Sequence, residues 1–179
     1  MKNIIYVVLA MIVLSSCQKQ EKIGYVNNAT LINDFNEKKD LEAKFKVRQE
    51  TFTKKFDSID QAFQVEVEKF QTGAKRMSQT KAQQKYQELG QKKQMLDQQK
   101  QIDAQQFQQA YQAEMDSLIV KVKDFVEDYG QKNNYTYIIG TTDAVSTIMY
   151  GKEENDLTQT ILDALNDNKA KNKEADKKD

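Results

Sequence analysis

The sequence predicts a mostly α-helical protein with a small β body, in which a long antiparallel helical hairpin projects as a tentacle from a small sheet. Three observations predict it. Of 179 residues 30% are charged and mean hydropathy is -0.80, yet eight Phe and eight Tyr remain, enough for apolar stripes but not for a deep globular interior. From Ala29 to Phe125 there is no proline, and only Gly73 and Gly90 interrupt a run rich in Lys, Glu, Gln, Leu and Ala. Segments rich in β-branched and aromatic residues flank that run on both sides.

The first of these, Ile23-Gly24-Tyr25-Val26-Asn27, ends at a turn-forming Asn-Asn pair and reads as a strand. The β body is assigned to 23–28 and 130–167, and the helical arm to 29–129. In the first half of the arm Phe45, Phe52 and Ile59 lie seven apart. Phe56, Phe63, Phe70 and Met77 repeat the spacing with an offset of four, so one apolar stripe runs along the helix. On the return, Tyr111, Leu118 and Phe125 interleave with Met115, Val122 and Tyr129, a matching stripe that packs against the first. The tip is placed near 72–80, around Gly73 and a possible N-cap at Ser78. A first helix from Leu31 to Gln71, at ~1.5 Å per residue, is ~60 Å long.

Toward the tip the return stripe thins. Gln79 to Gln112 holds fourteen glutamines in 34 residues, read as a solvated face, and its larger apolar positions before Tyr111 are Tyr86, Leu89, Met95, Leu96, Ile102 and Phe107. Weak packing and a bend at Gly90 are expected there. Past Gly130, Tyr135 to Gly140 and Val145 to Gly151 read as two strands of a β-hairpin turning through Thr141–Ala144. Asp156 is an N-cap acceptor for a closing helix with Leu157, Ile161, Leu162 and Leu165 on its apolar face. Asn168 to Asp179 is charged and reads as a disordered tail. Three short strands make a marginal body, so oligomerisation is expected to extend the sheet and remove its edges.

The N-terminus carries an export signal. Lys2 precedes an unbroken apolar run from Ile4 to Leu14, too short for a membrane span of about 20 residues but suited to a signal peptide. Ser15-Ser16 then precede the only cysteine, which resembles a bacterial lipobox. Residues 1–16 are accordingly a lipoprotein signal peptide, Cys17 the lipidated first residue of the mature chain, and 17–22 the anchor spacer. An ordinary secretory signal with an incidental Cys is the alternative. A multiply acylated Cys meets the need for more than one chain in stable anchoring.

Much chemistry is excluded. With no His and one Cys there is no Ser-His-Asp or Cys-His unit, no His-ligated metal and no internal disulfide. The six glycines are scattered singly, so no phosphate loop is present. The acidic pairs Glu127-Asp128 and Glu153-Glu154 read as solvated charge. No catalytic, cofactor or metal residues are assigned, and net neutrality with an export signal argues against nucleic acid. Charge is nevertheless segregated: Gln71 to Lys100 holds seven basic and two acidic residues, 7 - 2 = +5, and Gln101 to Asp167 holds four and twelve, 4 - 12 = -8.

Ile23-Gly24-Tyr25-Val26-Asn27 at the start, with Tyr137-Ile138-Ile139, Ala144-Val145, Met149-Tyr150 and Asp156-Leu157-Thr158 at the end, resembles the Skp/OmpH family of periplasmic chaperones over Lys22 to about Asn166. The resemblance implies a homotrimer whose strands form a β-barrel, with three arms enclosing a cavity for unfolded outer-membrane or envelope proteins. It implies an ATP-independent holdase without catalytic residues or cofactors, in the periplasm of a Gram-negative bacterium. Familiar soluble members are strongly basic, whereas this chain is neutral with a pI near 6.4 and carries an expected membrane anchor at Cys17. The alternative function is a structural coiled-coil lipoprotein, a spacer or scaffold. Lys75, Arg76, Lys81 and Lys85 at the arm tip are candidate contacts for acidic clients or lipid headgroups, unless they only solvate the hairpin end. Phe45, Phe52, Phe56, Ile59, Phe63, Phe70, Tyr111, Met115, Leu118, Val122 and Phe125 are assigned to the arm's packing stripe rather than to client contacts.

Overall fold

The computed structural model describes residues 21–142 and 147–175. The export signal, Cys17, the segment 143–146 and the last four residues lie outside the described residues. The order of elements is β1 (Ile23–Asn27), α1 (Asn28–Asp34), α2 (Asn36–Ala74), α3 (Gln79–Lys132), β2 (Tyr137–Thr141), a 3-10 turn (Glu153–Asn155) and α4 (Thr158–Ala175). They form two compact units: an arm of residues 33–122, and a body made of the chain before and after it.

In the arm, α2 and the first part of α3 form an antiparallel hairpin joined by Lys75–Ser78. Arg76 N–H donates to the Gly73 carbonyl and Met77 N–H to that of Ala74, tightening the end of α2. Ser78 caps α3, its carbonyl accepting from Ala82 N–H and its hydroxyl from Lys81 N–H at 3.4 Å. The first helix is not continuous from Leu31. It breaks at Phe35, whose extended backbone (ψ 124°) separates α1 from α2 and whose ring is buried. Apolar periodicity does not reveal the break, although Asn33, Asp34 and Asn36 beside it favour helix ends and turns over helix interiors. Gly90 lies inside an uninterrupted α3.

In the body, β1 and β2 pair in parallel, from Ile23↔Tyr137 to Asn27↔Thr141. This corrects the expected β-hairpin. Residues 147–151 form no strand, and β2 takes its hydrogen bonds from β1, more than a hundred residues earlier, instead of from the segment that follows it. Gly130 does not end the helix either. Helix α3 runs to Lys132 and closes with Asn134 in the left-handed conformation (φ 57°), Asn134 N–H donating to Gln131 and Tyr135 N–H to Gly130. Asn is the non-glycine residue best suited to that position. Gly130 instead leaves room for Ile138, whose Cδ1 would stand 3.3 Å from an added Cβ.

Asn27 ends β1 and caps α1, its Oδ1 accepting from Ala29 and Thr30 N–H at 3.0 and 3.1 Å. Its own N–H donates to Thr158 Oγ1 at 2.9 Å, and that hydroxyl donates to Asp156 Oδ1 at 2.6 Å. Asp156 also accepts from Thr158 N–H, so one carboxylate starts α4 and ties it to the strand end. Among the described residues of this unit, Val26, Leu31, Leu157, Ile161, Leu162 and Leu165 are the buried large apolar ones. A Cβ on Gly24 would overlap Leu157 Cδ1, so glycine there permits the close approach of β1 to the residue that opens α4. Helix α4 continues to Ala175, beyond the Asn168 expected to begin a tail, because its apolar nucleus lets Lys, Asn, Ala and Glu extend it one hydrogen bond per residue.

Candidate functional site

The arm hairpin is the candidate site, and its register is set by side chains. Phe45 and Phe56 on α2, with Leu89, Leu118 and Val122 on α3, are buried. Phe52, Ile59, Phe63, Phe70, Tyr111, Met115 and Phe125 are half-buried. The Phe45 ring stands edge-on to Phe107 at 5.5 Å and to Tyr111 at 5.1 Å, and Phe52 lies 4.7 Å from Phe56 and 6.4 Å from Phe107. Such edge contacts contribute beyond area burial. Arg48 covers this cluster, its guanidinium 4.8 Å from the Phe45 centroid and 6.0 Å from that of Phe107. Phe107 is thus central, although the sequence reading placed it in the thinning stretch. Its position four residues before Tyr111, on the same helical face, is the signal that finds it.

Ion pairs link the two helices along their length. Glu37–Lys121, Lys44–Glu114 (2.7 Å), Lys55–Asp103 (2.7 Å), Asp60–Lys100 (3.2 Å) and Glu66–Lys92 step inward together, each advance on α2 matched by a retreat on α3. Exposed pairs contribute only about 0–1 kcal/mol each. Their consequence is register: sliding one helix along the other breaks all five and sets like charges against one another. No periodicity of single residues reveals this, because lysines and acids that pair across the hairpin are far apart in sequence.

Glu66 accepts from both Lys92 and Lys85, and these bonds hold its carboxyl below the usual range; Lys55 and then Gln99 do the same for Asp103. A carboxyl whose pKa is depressed by folding contributes stability above its unfolded value and loses it as pH falls through the folded one. Acid titration followed by circular dichroism is therefore expected to show the arm loosening below the ordinary carboxylate range. Glu66→Gln together with Asp103→Asn should flatten that acid limb; an unchanged limb contradicts the assignment.

At the tip the four candidate cations differ. Lys75, Arg76 and Lys81 are exposed, without a salt bridge to another described side chain. Lys85 is half-buried and already paired with Glu88 at 3.2 Å and Glu66 at 3.4 Å, and the bond to Glu88 and then that to Glu66 raise its pKa. Beside them Phe70, Met77, Lys69, Lys81, Lys85 and Glu88 line an open cavity of about 370 Å³. Tyr86 and Met95, on the glutamine-rich return, are largely exposed, while Leu89 between them is buried.

Among the described residues no group of three or more His, Cys, Asp or Glu is arranged to hold a metal, and no helix is long and apolar enough to cross a membrane. The arrangement offers surfaces and grooves: apolar patches bordered by charge along a two-helix arm.

Comparison with known proteins gives the same picture. Residues 22–165 match the family model for outer membrane proteins (OmpH-like). Nothing among curated proteins matches. The fold is similar to a crystal structure from Caulobacter crescentus described as that of an OmpH-like outer membrane chaperone, with a TM-score of 0.74 and 12% identity, covering 84% of this chain and 87% of that one. At that identity the likeness concerns the fold.

Proposed function

Because the chain belongs to the OmpH-like family of outer membrane proteins, we propose that it is an ATP-independent holdase that keeps unfolded outer-membrane or envelope proteins soluble between helical arms. The observation that carries the reading is the arm: a long hairpin whose own apolar stripe is shallow, leaving Val47, Val65, Tyr86, Met95 and Ile102 exposed along it. Scattered apolar side chains among solvated ones suit weak, generic capture of a chain that must later be released. No cofactor is required for such work, and no catalytic group is assigned.

Three copies are proposed to act together. Strand β2 has a hydrogen-bonded neighbour on one side only among the described residues, and a two-stranded sheet is a marginal body by itself. Lipidation of Cys17 is proposed to hold the assembly at a membrane facing the periplasm. Stoichiometric protein that fails to suppress aggregation of an unfolded β-barrel protein contradicts the holdase reading. Light scattering tests the trimer, with a monomer or dimer indifferent to client pointing to a structural lipoprotein instead.

The tip cations are proposed to steer acidic clients or anionic headgroups by long-range attraction. Lys75, Arg76 and Lys81 carry this role; Lys85 is neutralised locally. Replacing the three with Gln is expected to slow client capture severalfold at low salt and leave it unchanged at high salt, where the Debye length falls to about 3 Å. Equal rates at low salt contradict the role, as does a loss that high salt leaves intact. Either is measured by stopped-flow association with a labelled client.

A further inference from the structure

The apolar stripe of the arm is closed by rings around Phe45 and left open at the tip. Phe45 packs against Phe107 and Tyr111 across the hairpin. Beside Phe70, by contrast, α3 contributes only the polar side chains of Lys81, Gln84, Lys85 and Glu88 to the cavity wall. The apolar part of that 370 Å³ space is Phe70, half-buried, and Met77, 36% exposed. Its volume lies at the small end of ligand pockets, ~300–1,000 Å³, and suits one large side chain rather than a folded partner. At ~1.5 Å per residue Phe70 stands ~51 Å along α2 from Asn36, and association through the body's sheet makes no use of this end of the arm.

The charges of the cavity are unequal in what they still have to bind. Glu66 accepts from Lys85 and Lys92 across the hairpin, and Glu88 accepts from Lys85, so both lining carboxylates are neutralised within the arm. Lys69 and Lys81 also line the cavity, are exposed, and form no salt bridge to another described side chain. An apolar floor therefore lies beneath uncompensated positive charge. The pairs that neutralise Glu66 also tie the two walls together, so the shape is in place before anything enters. We propose that the cavity seats one large apolar side chain of an unfolded client that carries an Asp or Glu one or two residues away, the side chain lying against Phe70 and Met77 and the carboxylate meeting Lys69 and Lys81.

The proposal rests on the holdase reading and names the part of a client that the tip takes. Strands of outer-membrane barrels alternate apolar and polar residues, so apolar side chains with an acidic neighbour recur along such clients. Methionine is unbranched and polarizable, and Met77 can adapt to side chains of different shape. A basic neighbour is repelled by Lys69 and Lys81, which gives the site its selectivity. Partial burial of one side chain and an exposed ion pair are each weak, so the client is held without being trapped.

An N-acetylated, C-amidated peptide of Gly and Ser with one para-fluoro-Phe and an Asp two residues on is titrated with full-length protein, and its fluorine NMR line width reports binding. Among unlabelled competitors, replacing Phe by Ser is expected to weaken binding about tenfold. Replacing Asp by Asn should weaken it about threefold at low salt and not at high salt. Neither change alters the protein, so the test stands if a variant folds poorly. On the protein side, Met77→Ser and the pair Lys69→Gln with Lys81→Gln should reproduce the two losses. Lys46→Gln with Lys54→Gln, the same change of charge on exposed lysines elsewhere on α2, should leave binding unchanged. Competitors that bind alike overturn the proposal, as does a loss shared equally by tip and control lysines. Anionic vesicles bound in place of the peptide, with the same dependence on Met77 and Lys81, overturn it by giving the cavity to lipid, and self-association with that dependence does so by giving it to a second copy. Suppression of client aggregation is measured alongside. Protein that suppresses aggregation but binds no peptide loses the tip site and keeps the holdase reading; protein that binds the peptide but suppresses none loses that reading and, with it, the client as occupant.

Discussion

Phe45→Ala is expected to melt the arm around its aromatic cluster, at a cost of about 3–5 kcal/mol. The ring is 4% exposed and is the common partner of Phe107, Tyr111 and Arg48. Removing it leaves a cavity between two helices that have no other layer behind them to close in. Two residues along, Val47 is 62% exposed, and Val47→Ala should change stability by no more than about 0.5 kcal/mol. Amide exchange across 41–56 and 103–115 separates the two variants. If Phe45→Ala exchanged as slowly as Val47→Ala, the stripe would not hold the hairpin. Client capture adds a second readout: loss of capture with Phe45→Ala but not Val47→Ala means that the arm must be ordered to work.

Ile161→Ala is expected to cost the body about 2–5 kcal/mol, a large share of what so small a unit can possess. Among the described residues Ile161 is the most completely buried side chain of α4, and Val26, Leu31, Leu157, Leu162 and Leu165 are the other buried large apolar residues of that unit. The adjacent Thr160 is exposed, and Thr160→Ala serves as the matched control with an effect within about 0.5 kcal/mol. Urea unfolding, with exchange of the β1 amides as the local probe, measures both. A body that tolerates Ile161→Ala as well as Thr160→Ala would mean that α4 contributes little to holding β1. Should the trimer form through the sheet, Ile161→Ala also lowers the mass seen by light scattering, because a loosened strand presents no edge.

The helical arm was legible because its signal is local. Phe45, Phe52, Ile59 and Phe56, Phe63, Phe70 repeat at a helical period, and any helix they form must place them on one face. The closing helix was legible for the same reason, from Leu157, Ile161, Leu162 and Leu165, and Asp156 was found as its cap acceptor. Phe107 reads as part of the thinning stretch because its neighbours are glutamines, although it shares a helical face with Tyr111. The differing states of the tip cations were not legible: Lys85 and Lys81 look alike in sequence, and only Glu66, reaching across from the other helix, sets them apart.

By itself, then, the sequence determined the long helices, their apolar faces, the position of the turn near Gly73 to Ser78 and the strand character of the two flanking segments. Tertiary structure alone decided the rest. It paired β2 with β1 in parallel instead of with the residues that follow, broke the first helix at Phe35, carried the second past Gly130 to a left-handed Asn134, and chose which lysine meets which carboxylate across the hairpin. The division has one physical cause. Periodicity and capping depend on residues three or four apart, whose spacing the backbone dictates. Strand partners and ion-pair register depend on segments a hundred residues apart, whose meeting is settled by the packing of the whole chain.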